Sequence, residues 1–187
     1  MTPMFFPATA ERLDDLALVM QESSNSRNCW CAFWYRSNAD YKSGWGDANR
    51  EVLSGKVAAG GEPGIIAYID DTPAAWVSVA PRAAFDRLNR SRNFAPVDAE
   101  AVWAVNCFVV AKRFRRMGLM PMLARAAADF AFAKGAPAVE AYPIEPSEKS
   151  GAADLYVGTV SAFREAGYVE VARPLPRRPV MRLTRPP

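Results

Sequence analysis

The stretch that most constrains the fold is "AVWAVNCFVVAKRFRRMGLM", residues 101–120, where a nearly unbroken apolar run passes directly into basic residues, a glycine and the start of a long helix. Ala101 to Val110 is rich in valine and lacks the polar alternation of a half-exposed strand, so it predicts a central strand covered on both faces. The Ala, Leu and Met content from Gly118 to Lys134 predicts a helix, and Gly135 supplies its stop. A helix N-terminus offers unpaired N–H groups and a partial positive charge. With Lys112, Arg113, Arg115 and Arg116 beside it, this junction suits an anion such as pyrophosphate. Gly118 permits close approach of backbone. Arg-x-x-Gly alone is a common pattern, and the strand before it and the helix after it give it weight.

The remaining elements follow from period and punctuation. Met4 to Phe6 reads as a short strand, and Leu13, Leu16, Leu18 and Val19 after Thr9, a candidate N-cap, read as a first helix. The pattern breaks up from Asn25 to Gly46, and Asp47 to Val57 predicts a second helix closed by "GGEPG". "IIAYIDDTPAAWVSVA" predicts a hairpin turning at Asp70 to Pro73; "PRAAFDRLNRSRNF" reads as short helix and loop. "AVEAYP" predicts a strand, Ser147 to Gly151 a loop, Tyr156 to Ala166 a helix ending at Gly167, and "YVEVA" with "RPVMRL" a closing hairpin. No repeat or linker divides residues 1–187, so the order β, α, α, β, β, β, α, β, α, β, β predicts one mixed α/β domain.

Composition narrows the chemistry. Half of the 187 residues are hydrophobic, enough for a core without disulfides or metal, and no apolar run is long enough to cross a bilayer. The odd cysteines, Cys29, Cys31 and Cys107, show no framework spacing, which predicts a reducing, cytoplasmic setting. With no histidine there is no Ser-His or Cys-His pair and none of the usual His-bearing zinc sites. A net charge of only +3 and the lack of an aromatic-basic groove argue against nucleic acid as a partner, although arginines cluster at residues 82–92, 113–116 and 173–178.

At the junction the chain resembles the GCN5-related N-acetyltransferases (GNAT). Arg115, Gly118 and Met120 fall on the three fixed positions of that family's Gln/Arg-x-x-Gly-x-Gly/Ala motif, with Met120 in place of the small residue and Pro121 after it. "FPATAERLDDL", the hairpin and "SAFREAGYVEVA" extend the resemblance over nearly the whole chain. It implies a mixed, mostly antiparallel central sheet flanked by helices. It also implies acetyl-CoA lying in a gap beside the central strand, its pantetheine along Phe108, Val109 and Val110 and its pyrophosphate on Arg115, Arg116, Met117, Gly118, Leu119 and Met120. The implied reaction is direct attack of a small-molecule or peptide amine on the thioester. Two family positions differ: Ala104 stands where some members carry a glutamate base, and Phe163 where many carry a tyrosine acid. Tyr156 is then the candidate acid and Glu140 the candidate base. The alternative function is a CoA-binding module without turnover.

"NCWCAFWYR", Asn28 to Arg36, leaves two readings open: aromatic core, or the wall of the acceptor pocket. Trp30 and Trp34, four apart, would share a face if helical, and Tyr142 is a further pocket candidate. Two neighbouring cysteines and a distant Cys107 cannot make a zinc site. Arginine- and proline-rich edges near the C-terminus offer a surface for a homodimer.

Overall fold

Seven strands form one sheet in the computed structural model, which describes residues 2–148, 150–151 and 154–186. The chain runs β1 (Met4–Pro7), α1 (Leu13–Met20), α2 (Ser24–Cys29), α3 (Asn38–Ser43), α4 (Asp47–Ala58), β2 (Gly64–Ile69), β3 (Thr72–Pro81) and α5 (Asp86–Asn89). It continues through β4 (Trp103–Val110), α6 (Leu119–Ala133), β5 (Ala138–Ala141), α7 (Val160–Glu165), β6 (Val169–Leu175) and β7 (Arg178–Thr184). The strand order is β1-β2-β3-β4-β5-β7-β6, antiparallel except for the parallel pair β4 and β5. This is the mixed, mostly antiparallel sheet expected.

Both faces of the sheet are covered, which is why β4 reads as a continuous apolar run. On one face Leu123, Ala127 and Ala131 of α6 pack with Val105, Val139 and Phe163. The alanines let this helix lie close to the strands. On the other, Leu16 and Val19 of α1 and Leu53 and Val57 of α4 pack with Ile66, Trp76 and Ala104. Each fully buried Leu or Val contributes roughly 1.5–3 kcal/mol over the exposed state.

The feature that positions the site is a fork. β4 and β5 pair only at Trp103–Val139, Ala104–Glu140 and Val105–Ala141. Beyond Ala141 the chain reaches Pro143, which has no N–H to offer a ladder, and Ile144 bridges to Thr159 instead. On the other side of β4, a bulge opposite Ser78 and Val79 leaves Asn106 outside the register. From Asn106 to Val110, β4 therefore keeps β3 as a neighbour and has an open edge where β5 has left it.

Three local expectations change. Thr9 precedes a 3-10 turn, Ala10–Arg12, and instead of capping it accepts a hydrogen bond from the Arg12 guanidinium at 3.3 Å. The irregular stretch 25–46 holds two short helices. Ser23 and Ser26 form a capping box for α2, and Ser37 accepts from the Asp40 amide at the start of α3. The helix expected over Tyr156 to Ala166 is split into a 3-10 turn, Leu155–Val157, and α7, because Gly158 turns at φ 81° between them. A side chain at Gly158 would run into Phe163 and Phe108.

The β2–β3 hairpin turns on Asp70 and Asp71, with φ of 46° and 59°. That geometry is one Asn-Gly adopts with less strain. The double substitution Asp70→Asn, Asp71→Gly is expected to stabilise the protein by about 1 kcal/mol, or ~2–4 °C in Tm, as read by thermal unfolding.

Candidate functional site

A cavity of about 740 Å³ lies along the open edge of β4. One wall is built from Phe108, Val109 and Val110 and from the turn into α6, including Arg115, Arg116, Gly118, Leu119 and Met120. Eight of the nine residues expected to hold the cofactor thus meet in one space. Met117 is the exception; its side chain points away and is 42% exposed.

The turn has the local geometry of an anion cradle. Arg116 and Gly118 are both left-handed, at φ 64° and 72°, on either side of Met117. Among the described residues the amides of Arg116, Met117 and Gly118 find no acceptor. Successive free N–H groups in such a turn make a concavity that favours negative charge, and the first turn of the 15-residue α6 adds its dipole. Pro121 sits in that first turn, where a missing N–H costs nothing. The Arg115 side chain folds back, its Nε donating to the Val110 carbonyl at 3.1 Å.

The rest of the lining comes from α1, α2 and the segment after them, with Phe33, Tyr41 and Trp45, and from the 3-10 turn Leu155–Val157, with Tyr156. Tyr156 is therefore in the cavity, as its candidacy requires. Burial pushes its phenol well above the ordinary range, so the proton stays on the oxygen through neutral pH. Phe33, Tyr41 and Trp45 were not singled out from sequence, where the first sits inside the aromatic run and the others fall after it, Tyr41 on α3 and Trp45 just past its end.

"NCWCAFWYR" divides between the two readings. α2 ends at Cys29, and Trp30 and Cys31 follow in left-handed backbone at φ 45° and 54°. Trp30 and Trp34 therefore share no helix face. Both are buried core residues, 3% and 4% exposed, and neither lines the main cavity. Arg50 lies 5.2 Å over the Trp30 ring. Cys29, Cys31 and Phe33 face the cavity instead. Cys107, distant in sequence, meets Cys31 with 2.8 Å between sulfurs, and the Trp76 indole donates to Cys31 Sγ at 3.3 Å. The hydrogen bond with Cys31 pushes the Cys107 thiol well up, and burial reinforces the effect.

Two other candidates are not brought to the cavity. Glu140 is 1% exposed on the fork's paired segment, and both its oxygens are taken. Oε1 accepts from Arg182 at 2.7 Å and Oε2 from the Tyr142 hydroxyl at 2.9 Å. Arg182 also reaches Asp98 and Glu100. Tyr142, 1% exposed, is a member of this network, accepting from Arg82 at 3.3 Å, and is not a cavity residue. A short strand with alternating small residues gave no sign that this carboxylate would have an arginine partner 42 positions later. Phe163, at the family's tyrosine position, is fully buried edge-on to Phe108 and Tyr168. Ala104 is buried on the α1 side. Asn106, at the bulge, is fully buried with Oδ1 and Nδ2 both unpartnered among the described residues.

Residues 29–157 match the model of the Acetyltransferase (GNAT) family. No curated protein matches the sequence. Among solved structures the chain is similar to PaiA N-acetyltransferase from Thermoplasma acidophilum in complex with coenzyme A, at 12% identity over 99% of this chain and 100% of that one, TM-score 0.55. It is also similar to aminoglycoside acetyltransferase AAC(6')-Ib in complex with coenzyme A and kanamycin, at 16% identity over 98% and 95%, TM-score 0.57. A GNAT family acetyltransferase from Streptococcus agalactiae matches at 14% identity over 99% and 96%, TM-score 0.57. At these identities the likeness is one of fold.

Glu140→Gln removes the buried charge facing Arg182, which keeps Asp98 and Glu100 as partners, and is expected to cost about 1.5–3 kcal/mol, ~3–12 °C in Tm, from the loss of charge-assisted hydrogen bonds. A carboxylate kept only as a base would leave the melting temperature unmoved.

Proposed function

Because this chain belongs to the acetyltransferase (GNAT) family, we propose that it transfers an acetyl group from acetyl-CoA to a primary amine of a small molecule or peptide, by direct attack in a ternary complex. The observation that carries this reading is the meeting, in one cavity, of an unpaired strand edge with a turn of free amides and arginines. A pantetheine arm needs main-chain partners in an extended line, and a pyrophosphate needs N–H donors and positive charge. The residues present fit both, and the orphaned Asn106 amide marks the strand at the point where the fork opens. The solved complex of an aminoglycoside acetyltransferase of this fold with coenzyme A and kanamycin supports an amine as acceptor.

Bound acetyl-CoA supplies an activated acetyl thioester, and the rest falls to this chain. Main-chain groups of Phe108 to Val110 hold the arm in line, as an added strand would be held. Arg115, Arg116 and the amides around Gly118 fix the phosphates, so orientation is set by groups remote from the reacting bond. Tyr156 keeps a proton at Oη inside the cavity, available to the sulfur as it leaves. Glu140 is bound to Arg182 and Tyr142, which leaves deprotonation of the amine to water in the cavity.

A side chain at Gly118 meets no atom within 4 Å, so substitutions there test the phosphate turn more than the packing. Gly118→Glu is expected to weaken acetyl-CoA binding roughly 100-fold or more by calorimetry, from charge in the cradle together with left-handed strain. Gly118→Asn, which tolerates the same backbone, is expected to retain most of the affinity. Unchanged affinity in the glutamate variant would remove the phosphate assignment.

Tyr156→Phe is expected to lower kcat about 10–100-fold with little change in the KM for acetyl-CoA. Since burial raises the phenol, the wild-type rate should hold on the alkaline side beyond the ordinary tyrosine value of 10.0 before falling. Equal rates in the two proteins return Tyr156 to packing. Saturable binding with no thiol release for any amine would favour the module without turnover.

A further inference from the structure

Resting on the acetyl-transfer reading, the geometry points to the acceptor class: a monoamine on an aromatic body, held by stacking and shape without a carboxylate partner. The wall facing the cofactor side is a continuous series of rings. Trp45 meets Tyr41 at 5.6 Å, Tyr41 meets Phe33 at 5.5 Å, and Phe33 meets Tyr156 at 6.2 Å, all close to edge-on. Such a wall presents faces and edges to a flat apolar guest. The other polar side chains of this wall, among them Ser23, Asn25 and Ser26, are uncharged.

Charge makes the same selection. Among the described residues lining the cavity there is no aspartate or glutamate, and its charged side chains are Arg115 and Arg116 at the phosphate turn. Two more arginines lie outside the lining, Arg87 against the Phe33 ring and Arg178 over Phe94. The Arg87 guanidinium carbon lies 3.7 Å from the Phe33 centroid, and its Nε and Nη groups donate to the Phe33 and Arg36 carbonyls and to Asn38 Oδ1. Arg178 donates to the carbonyls of Tyr142 and Pro143. Neither has a carboxylate partner among the described residues. Burial lowers the pKa of both, and both act on the Tyr156 phenol.

With the coenzyme's phosphates answering Arg115 and Arg116, a guest with several ammonium groups would still bring each of them toward Arg87 and Arg178 with no carboxylate to pair with, whereas a single amine can shed its proton and enter neutral. The second course also lightens the chemistry. Attack requires the free amine, and a field that disfavours the ammonium supplies part of what a dedicated base would otherwise do.

The test is thiol release from acetyl-CoA with 2-phenylethylamine and tryptamine on one side and spermidine and kanamycin on the other. The expected result is kcat/KM roughly 100-fold higher for the aromatic monoamines. Equal or better turnover of the polycations overturns the inference and leaves acetyl transfer standing; no release with any amine, while acetyl-CoA still binds, overturns the transfer reading and the inference with it. Trp45 is 47% exposed, so Trp45→Glu adds a carboxylate at the rim without opening the core. It is expected to move the preference at least ~10-fold toward spermidine, read as the ratio of the two kcat/KM values in the same protein. An unmoved preference removes the aromatic wall from acceptor recognition.

Discussion

Everything at the site depends on β4 and β5 parting after Val105. A buried strand edge is costly because each main-chain N–H and C=O left without a partner forfeits a hydrogen bond it would have made in water. The chain imposes that cost through Pro143, which ends the ladder on one side, and through the bulge at Asn106 on the other. Such an edge persists only where water or a ligand completes it. The fork leaves main-chain groups of β4 that an extended, amide-bearing guest could complete, and the proposed activity rests on that gap in a hydrogen-bond ladder.

The turn into α6 adds direction to the guest. A left-handed Arg116 is a conformation that costs a residue with a Cβ about 1–2 kcal/mol. What it achieves is to turn successive amides to one side beside Gly118. Arg115 meanwhile covers the Val110 carbonyl with its own guanidinium, at the end of the very edge a pantetheine would use. Strand edge and phosphate turn are thus mechanically continuous, five residues apart, and an anion drawing Arg115 away would free that carbonyl.

The fold was legible where one period dominated. The Ala101 to Val110 run, the alanine-rich helix and the two hairpins announce themselves through composition and turn residues, and the turn into α6 through its place between strand and helix. Short helices α2 and α3 were not, because their signals are single serine caps and not periodicity. The acceptor wall was half legible. Aromatic density marked the region, but which ring faces the cavity depends on two left-handed residues, Trp30 and Cys31, that no propensity favours. Glu140 and Tyr142 misled for a different reason: their partners Arg182 and Arg82 are remote in sequence, so nothing local distinguishes a locked carboxylate from a free one.

That left-handed pair also joins the stability of the domain to its selectivity. Two such residues in succession store strain of order 1–3 kcal/mol each, and they persist because what surrounds them is worth more. Trp30 and Trp34 are nearly fully buried on the α1 side of the sheet, and Cys31 is held between the Trp76 indole and Cys107. The same turn that seats these tryptophans in the core swings Cys29, Cys31 and Phe33 into the cavity. Relaxing it to ordinary helix would carry Phe33 out of register with Tyr41 and Tyr156. The aromatic wall of the cavity is therefore supported from beneath by core packing, and on the proposed reading a substitution at a buried tryptophan outside the cavity would alter which amine fits.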